Sequence, residues 1–395
     1  MRIPGNRRQR PALLGQTLTV LVAIAVVGVG QTYTVIPLMS MIAQDFGVPT
    51  SFAAWLSTGF SLSFALGFLL AGPAVDRFGP RRLILLGLPC GALSTLLVAL
   101  AGSFPALVVF RCVQGLTVAS LAPTGFAYVA EHVETRRRPA ALGAMSSAGL
   151  AAAVLMQVAA QALAPVGWRA VFFASAAAML LLFAVALTWL QADTHERVGS
   201  MKAALVGLPR LLGRPRLLAL YAATSTLLGS FVIVYTAIEI AGPPAVAGDA
   251  RALLILRASA LPAVIAAPFI IGATRQLSPR FKSLVALLLA AVAAGAAGLA
   301  GSGLVFLGVA LLLYVAGIAI AAPSLVELIH TAAPDAVGAA TALYTAALFV
   351  GTSVGPQVAA VATTDGFEDA PLIAAVLLLS GALIILTTTS RTAGP

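Results

Sequence analysis

Long runs of apolar residues, separated by short polar stretches, extend along almost the whole chain. A helix needs roughly 20 apolar residues to cross a bilayer, and we count twelve runs of about this length. They lie at about 14–36, 52–72, 83–101, 105–128, 141–164, 169–190, 217–241, 252–273, 283–301, 304–328, 338–361 and 371–389. Only helices and closed barrels satisfy the backbone polar groups in lipid, and runs this long are typical of helices. The pattern predicts an all-α polytopic membrane protein with twelve spans.

Composition and charge sharpen this prediction. Of 395 residues 60% are hydrophobic and 9% charged, whereas about a quarter of the residues of a soluble domain are charged. The net charge of +10 follows one set of loops. These loops carry Arg77, Arg81, Arg82, Arg136, Arg137, Arg138, Arg210, Arg214, Arg216, Arg275, Arg280 and Lys282. Positive loops mark the cytoplasmic side, so both termini are expected there, and the charge needs no nucleic-acid partner.

The longest hydrophilic interval divides the chain into two parts. It runs from Gln191 to Arg216, and it predicts an N-terminal six-helix bundle (1–190), a cytoplasmic linker (191–216) and a C-terminal six-helix bundle (217–395). Ala122-Pro123-Thr124 and Ala322-Pro323-Ser324 resemble each other at an offset of 200 residues. Two six-span halves related by a parallel repeat are a recurring transporter architecture.

Residues with catalytic or metal-binding chemistry are few. Cys90 and Cys112 both fall inside predicted spans, and the histidines are His132, His195 and His330, in loops or at helix ends. They form no zinc-protease, nucleophile-elbow or phosphate-loop motif. We therefore expect no metal, disulfide or cofactor, and a polytopic membrane enzyme is the least supported of the possible functions.

A charged segment between the second and third runs resembles a known family signature. Gly72-Pro-Ala-Val-Asp-Arg-Phe-Gly-Pro-Arg-Arg82 is similar to G-x-L-a-D-R-x-G-R-R/K of the major facilitator superfamily, with Ala74 and Pro80 departing from it. The resemblance implies a conformational latch formed by Gly72, Asp76, Arg77, Gly79, Arg81, Arg82 and Glu131.

In the family, the aspartate of this signature holds the cytoplasmic side shut against span eleven. Here Asp76 is expected to meet the start of that span near Gly338, because a helix N-terminus favours a carboxylate. Arg77 or Arg82 is expected to pair with Glu131. The alternative is that the arginines only set the topology.

Arg111 lies inside span four, three residues before Gln114 and four before Gly115. R-x-x-Q-G is similar to the span-four signature of proton-coupled members of the superfamily. An arginine in mid-membrane costs roughly 2.5–3.5 kcal/mol on insertion scales, so it faces a cavity or a partner by default. Either it perturbs a neighbouring carboxylate or holds an anionic substrate group, or it reaches the outer headgroups.

Two carboxylates are candidates for the proton carrier. Glu239 of span seven is preferred, with Arg257 of span eight as its partner. Glu327 of span ten, one turn from His330, is the second candidate. Many relatives carry an acid in span one, where this chain has Gln31 and Tyr33.

Polar and aromatic residues in the spans are candidates for lining a substrate cavity or for helix packing. They are Gln31, Tyr33, Trp55, Gln157, Tyr235 and Tyr344. Gly351, Gly355 and Pro356 of span eleven are expected to allow close packing and bending. Family antiporters carry a related Gly-x-x-x-Gly-Pro element in span five, and this chain does not.

The resemblance as a whole is to the twelve-span drug:proton antiporter branch. It implies a monomeric transporter of the bacterial inner membrane, embedded in the lipid bilayer, that exports small amphiphilic or polar solutes (drugs, sugars or metabolites) by alternating access with protons as coupling ion. A symporter or facilitator that imports a small nutrient remains the alternative on the same fold.

Overall fold

The computed structural model describes residues 11–193, 209–243, 246, 249–299, 303–364 and 366–390. This part of the chain is helical and contains no strand. Eleven helices are long and apolar enough to cross a membrane, or twelve when the bent fifth span is included. The prediction of an all-α protein with about twelve spans is confirmed.

The helix bounds follow the apolar runs closely. In chain order the spans are Pro11–Thr34, Thr50–Phe78, Pro80–Ala99, Phe104–Val118 with Leu121–His132, Arg138–Leu163, Trp168–Trp189, Pro215–Ala241, Ala250–Ala258 with Leu261–Ala273, Pro279–Gly298, Leu304–Ala332, Val337–Ala362 and Asp369–Ser390. A short helix, Met39–Phe46, follows span one.

Proline explains the two interrupted spans. Span four breaks at Ala119 and Ser120, and span eight breaks at Ser259 and Ala260. Each break lies just before a proline near the start of the next helix, Pro123 or Pro262. A proline has no N–H to donate to the carbonyl four residues earlier, and its ring clashes with that carbonyl. Span five bends by 43° near Gly149, without a proline at the bend.

The family signature begins inside a helix. Span two continues through Asp76 and Arg77 to Phe78, six residues beyond its apolar run. The turn into span three is made by Gly79, whose φ of +85° suits a residue without a side chain. The acid of the signature therefore projects from the last helical turn of span two.

Contacts between spans repeat with an offset of six. Span one packs on span five as span seven packs on span eleven, and span three packs on span six as span nine packs on span twelve. The two groups of six meet chiefly where span two contacts span eleven and where span five contacts span eight. We call spans one to six and seven to twelve the two halves; the exact domain boundaries remain a prediction.

The loops divide into two ends, which we name by their charge. The basic end holds the loop between spans two and three, with Arg77, Arg81 and Arg82, and every second loop before and after it. The acidic end holds the other loops, which include Asp45, Asp249 and Glu368. At the acidic end Arg169 and the indole N–H of Trp168 donate to Asp45, and these hydrogen bonds lower the pKa of Asp45. At the basic end Arg214 forms two hydrogen bonds to Asp335 and holds its pKa at about 2.

Candidate functional site

A buried ion pair lies near the acidic end of the second half. Nη2 of Arg257 is 2.7 Å from Oε2 of Glu239, and the two side chains are 1% and 8% exposed. Glu239 belongs to the last turn of span seven and Arg257 to the first segment of span eight. Burying two charges is costly unless they are paired and hydrogen-bonded. The remaining donors of the Arg257 guanidinium therefore need hydrogen-bond acceptors nearby.

The remaining donors of Arg257 reach into the other half. Nη1 donates to Oε1 of Gln157 at 2.8 Å, and Nε donates to Oε1 of Gln161 at 3.3 Å. Both glutamines lie in span five, one turn apart. The hydroxyl of Ser40, in the short helix after span one, donates to the backbone carbonyl of Glu239 at 3.3 Å. The ion pair is thus bonded to the first half as well.

Spans two and eleven supply the other hydrogen bonds between the halves. Thr58 donates to the carbonyl of Ser353 at 2.7 Å, and Nε2 of Gln357 donates to the Thr58 hydroxyl at 3.3 Å. These hydrogen bonds between the two halves lie toward the acidic end. We call this set the acidic-end junction: Ser40, Thr58, Gln157, Gln161, Glu239, Arg257, Ser353 and Gln357.

The basic end lacks the contact that was expected to close it. Asp76 at the end of span two and Gly338 at the start of span eleven are both exposed. Together with the junction, their exposure indicates a state closed at the acidic end and open at the basic end.

The predicted latch is not engaged in this state. Asp76 and Gly338 are both exposed, and no ion pair between described residues includes Asp76, Arg77 or Arg82. Gly72 has open space around it. An acid that meets span eleven only when the basic end closes is expected to be solvated when that end is open.

Arg81 has a different role from the rest of the signature. Its Nε donates to the carbonyl of Leu190 at 3.0 Å, and its backbone N–H donates to the Asp193 carboxylate at 3.1 Å. Arg81 therefore ties the start of span three to the chain after span six. Asp193 also brings its carboxylate within 4.8 Å of Glu131 and His132, a cluster that was not predicted.

That cluster is held by backbone groups. The ring nitrogens of His132 face the carbonyls of Tyr128 at 3.3 Å and Ala192 at 3.2 Å. The rings of Tyr128 and His132 stack with centroids 4.1 Å apart, and the Tyr128 hydroxyl accepts from the backbone N–H of Gln191. These contacts fasten the first residues of the central linker to span four.

Arg111 is completely buried in the first half. Its guanidinium donates to Oε1 of Gln114 at 2.6 Å, to the carbonyl of Gln31 at 3.1 Å and to the carbonyl of Leu56 at 3.2 Å. Gln114 in turn donates to Oε1 of Gln31 and to the Thr95 hydroxyl. The network joins spans one to four, and Gly115 lets span four approach the backbone of span two at Phe60.

The surroundings of Arg111 decide among the predictions made for it. Among the described residues its partners are amide and carbonyl oxygens and two aromatic faces, Phe60 at 4.2 Å and Phe172 at 5.8 Å. It does not reach the headgroups, because it is 0% exposed. No described carboxylate is bonded to Arg111. No direct contact therefore supports its predicted effect on a neighbouring acid.

The second carboxylate candidate has other contacts. Glu327 accepts from Lys282 at 3.1 Å and is 47% exposed. His330 bonds instead to the Thr341 hydroxyl at 2.7 Å, in the first turn of span eleven. Glu327 and His330 are therefore held by separate partners near the basic end.

The other predicted positions fall into three groups. Tyr33, Tyr235 and Gln157 are buried where the halves meet. Tyr344 packs inside the second half and donates to the carbonyl of Ala322. Trp55 is 48% exposed. The neighbouring Ala54 and Leu56 are buried, so Trp55 projects from the other side of span two, and its place in the cavity stays a prediction.

Gly351 and Gly355 face span seven. A Cβ on Gly351 would collide with the backbone carbonyl of Ser225, and one on Gly355 would lie 2.9 Å from the carbonyl oxygen of Gly229. Pro356 follows within the continuous helix. Here small residues spaced four apart bring two backbones together.

Several residues of these networks had no signal in the sequence. They are Ser40, Thr58, Thr95, Gln161, Ser353 and Gln357. Each is an uncharged polar residue within or beside an apolar run, where such residues are common. Their spacing offers one usable clue: Gln157 and Gln161 are one turn apart and therefore share a helix face.

Family comparison identifies this architecture. Residues 20–356 match the family model of the Major Facilitator Superfamily. The chain belongs to this superfamily. It is therefore a membrane transporter by family, not a member of an enzyme class.

Members with similar sequences include efflux proteins. The chain is 29% identical over 161 residues to an uncharacterized MFS-type transporter, YceJ, of Bacillus subtilis, covering 39% of this chain and 40% of the relative. It is 30% identical over 154 residues to the tetracenomycin C resistance and export protein of Streptomyces glaucescens, covering 38% of this chain and 29% of the relative. The matched segments thus span two fifths or less of these relatives.

Superfamily members of known structure share the whole fold. The xylose transporter XylE from E. coli, in a partially occluded inward open conformation, superposes with a TM-score of 0.75 at 16% identity, covering 95% of this chain and 98% of that one. The human organic anion transporter MFSD10 gives 0.69 at 18% identity, covering 95% and 100%. At such identities the likeness establishes the fold.

Proposed function

We propose that this superfamily member is a proton-coupled exporter of small molecules in the bacterial inner membrane. It works as a monomer by alternating access, with the basic end in the cytoplasm and without a cofactor. Relatives named for resistance and export support the direction of transport. The observation that carries the proposal is the Arg257–Glu239 pair, a buried acid that is bonded at the contact between the two halves.

This placement links proton binding to the movement of the halves. A proton and Arg257 compete for the same carboxylate. Arg257 also supplies the hydrogen bonds to Gln157 and Gln161 that help to close the acidic end. Protonation of Glu239 therefore weakens the closure of the acidic end, and closure of the acidic end in turn disfavours protonation of Glu239, because the two equilibria are linked. Alternating access around such a site couples the proton gradient to transport.

The test is Glu239→Gln in inside-out membrane vesicles. After energisation, a pH-sensitive dye reports the proton gradient while tetraphenylphosphonium, 1,8-dihydroxyanthraquinone, xylose and a ferric siderophore are added in turn. We expect at least one of these solutes to release the quench with the natural protein and none with Glu239→Gln. Exchange of the labelled active solute across unenergised vesicles, which moves no net proton, is expected to persist in the variant.

Glu327→Gln is the matched control, because it makes the same chemical change at an acid that is half exposed and bonded to Lys282. It is expected to keep proton release. Equal quench release by Glu239→Gln and the natural protein would reject Glu239 as the carrier. Solute entry that is driven by the gradient only in right-side-out vesicles would favour the importing alternative.

Asp76→Asn tests the latch separately. Asp76 is exposed and has no ion-pair partner among the described residues, so the substitution is expected to leave thermal stability unchanged. Transport is expected to slow by about tenfold, the effect of losing about 1.4 kcal/mol, because the state closed at the basic end loses its carboxylate at span eleven. Stopped-flow quench release measures the rate, and an unchanged rate would reject the latch.

A further inference from the structure

The charges buried in the spans restrict what the transporter carries. Within the described spans, the fully buried guanidiniums are Arg111 and Arg257, and the buried carboxylate is Glu239. Glu239 is already paired with Arg257, so the buried groups of the described spans carry the excess positive charge of Arg111 and include no unpaired carboxylate. In a medium of low dielectric constant, a fixed charge acts strongly on a bound ion. A permanent cation entering between the halves meets repulsion without a compensating partner.

The second observation is a set of buried hydroxyls without hydrogen-bond partners. Ser57 and Ser61 of span two and Tyr235 and Thr236 of span seven are completely buried, and their oxygens have no partner among the described residues. A buried polar group that remains unpaired loses its hydrogen bonds to water without replacement. Four such groups in two spans that line the contact between the halves indicate sites that a ligand satisfies.

Aromatic rings lie beside these hydroxyls. The ring of Tyr235 stacks on Phe231 with centroids 4.5 Å apart, and Phe231 meets Tyr33 of span one edge-on at 5.6 Å. Ser57 and Ser61 share a face of span two with Phe64, whose ring lies 4.3 Å from Phe349 of span eleven. Rings from both halves therefore meet at two places, each next to unpaired hydroxyls. When the halves move apart, these faces suit a flat aromatic solute.

We propose that the substrates are planar aromatic compounds that bear hydroxyl or carbonyl oxygens and no positive charge. Tyr235 and the serines of span two bind the oxygens, the aromatic rings stack on the solute, and the charge of Arg111, which no described carboxylate neutralises, excludes cations. This inference rests on the proposed function, namely that a small molecule crosses between the two halves. Tyr235 lies one turn before Glu239 on the same helix face, so the solute binds next to the proton carrier.

Two planar probes of similar size and different charge test the substrate class. Purified protein in nanodiscs is titrated with 1,8-dihydroxyanthraquinone, which is uncharged, and with ethidium, a permanent cation, by equilibrium dialysis. We expect the anthraquinone to bind at least about tenfold more tightly, as one unfavourable charge contact is enough to cause this difference. Tighter binding of ethidium, equal binding of the two probes, or binding of neither would overturn the proposal.

Tyr235→Phe tests the site itself. It removes one hydroxyl and keeps the ring that stacks on Phe231, so the melting temperature is expected to stay the same while anthraquinone binding weakens about tenfold. Tyr221→Phe is the matched control, because its hydroxyl, in the same span, already donates to the carbonyl of Ala340. Equal effects of the two substitutions on binding would exclude Tyr235 as a ligand.

The vesicle assay separates this inference from the proposed function. If tetraphenylphosphonium releases protons and the anthraquinone does not, proton-coupled export stands and the substrate class is wrong. If no solute of the panel releases protons although nanodisc binding of the anthraquinone depends on Tyr235, the site stands and proton-coupled export is wrong.

Discussion

Arg257→Met is expected to lower the free energy of unfolding by about 3–5 kcal/mol, the usual result of removing one partner of a buried ion pair. The substitution leaves the carboxylate of Glu239, 8% exposed, without its cation. It also leaves the acceptor oxygens of Gln157 and Gln161 without their donor. Reversible unfolding of the purified protein in mixed micelles, followed by circular dichroism, measures the change.

Two further variants serve as controls for this experiment. Arg257→Met combined with Glu239→Leu removes both charges and is expected to regain most of the lost stability, because well-packed apolar residues commonly replace a buried pair at little cost. Arg169→Met breaks the exposed pair with Asp45 and is expected to cost at most about 1 kcal/mol. If Arg257→Met and Arg169→Met unfold alike, Arg257 and Glu239 do not form a buried pair.

The fold was predictable because its main determinant is local. A segment that must satisfy its backbone inside lipid becomes a helix wherever about 20 apolar residues follow one another. The ends were less predictable. Span two was expected to finish near residue 72 and continues to Phe78, because charged residues in a last helical turn reach water at the membrane surface. The breaks before Pro123 and Pro262 follow from proline chemistry but were not predicted.

The charged part of the site was predictable for a similar reason. Ionisable residues are rare in spans and costly there, so Arg111, Glu239 and Arg257 stand out in the sequence. Their neighbours do not. Thr58 and Gln357 become important only because spans two and eleven, nearly 300 residues apart in the chain, meet at that height. Trp55 shows the same limit: the sequence identifies an aromatic residue in a span, and only the structure shows that it lies on an exposed face of span two.

The two buried arginines differ in a way that only the structure shows. Arg257 has a carboxylate partner and takes part in the contact between the halves. Arg111 lies within one half, and its described partners are neutral oxygens and aromatic rings. A guanidinium held in this way retains its full charge in a region of low dielectric constant, at a cost in stability that its hydrogen bonds offset only in part. Such a residue is expected to serve transport more than folding.

Arg111→Met tests this expectation as the counterpart of Arg257→Met. It leaves no charge stranded, and the loss of three hydrogen bonds is offset by relief of the cost of burying the guanidinium. The free energy of unfolding is therefore expected to change by less than about 1.5 kcal/mol. Solute-driven proton release is nevertheless expected to fall about a hundredfold, or about 2.7 kcal/mol in the barrier. The same unfolding and vesicle measurements apply to both variants.

Arg111→Lys distinguishes charge from geometry. Lysine keeps the positive charge, but its compact ammonium cannot bond to Gln114 and to the carbonyls of Gln31 and Leu56 as the planar guanidinium does. If the position needs only positive charge to exclude cations, Arg111→Lys retains transport while Arg111→Met begins to bind ethidium. If it needs the planar guanidinium, whose hydrogen bonds join spans one, two and four, both variants lose transport. A loss of stability in Arg111→Met as large as that in Arg257→Met would show instead that Arg111 acts in folding, because a residue whose charge serves only transport is not required to hold the helices together.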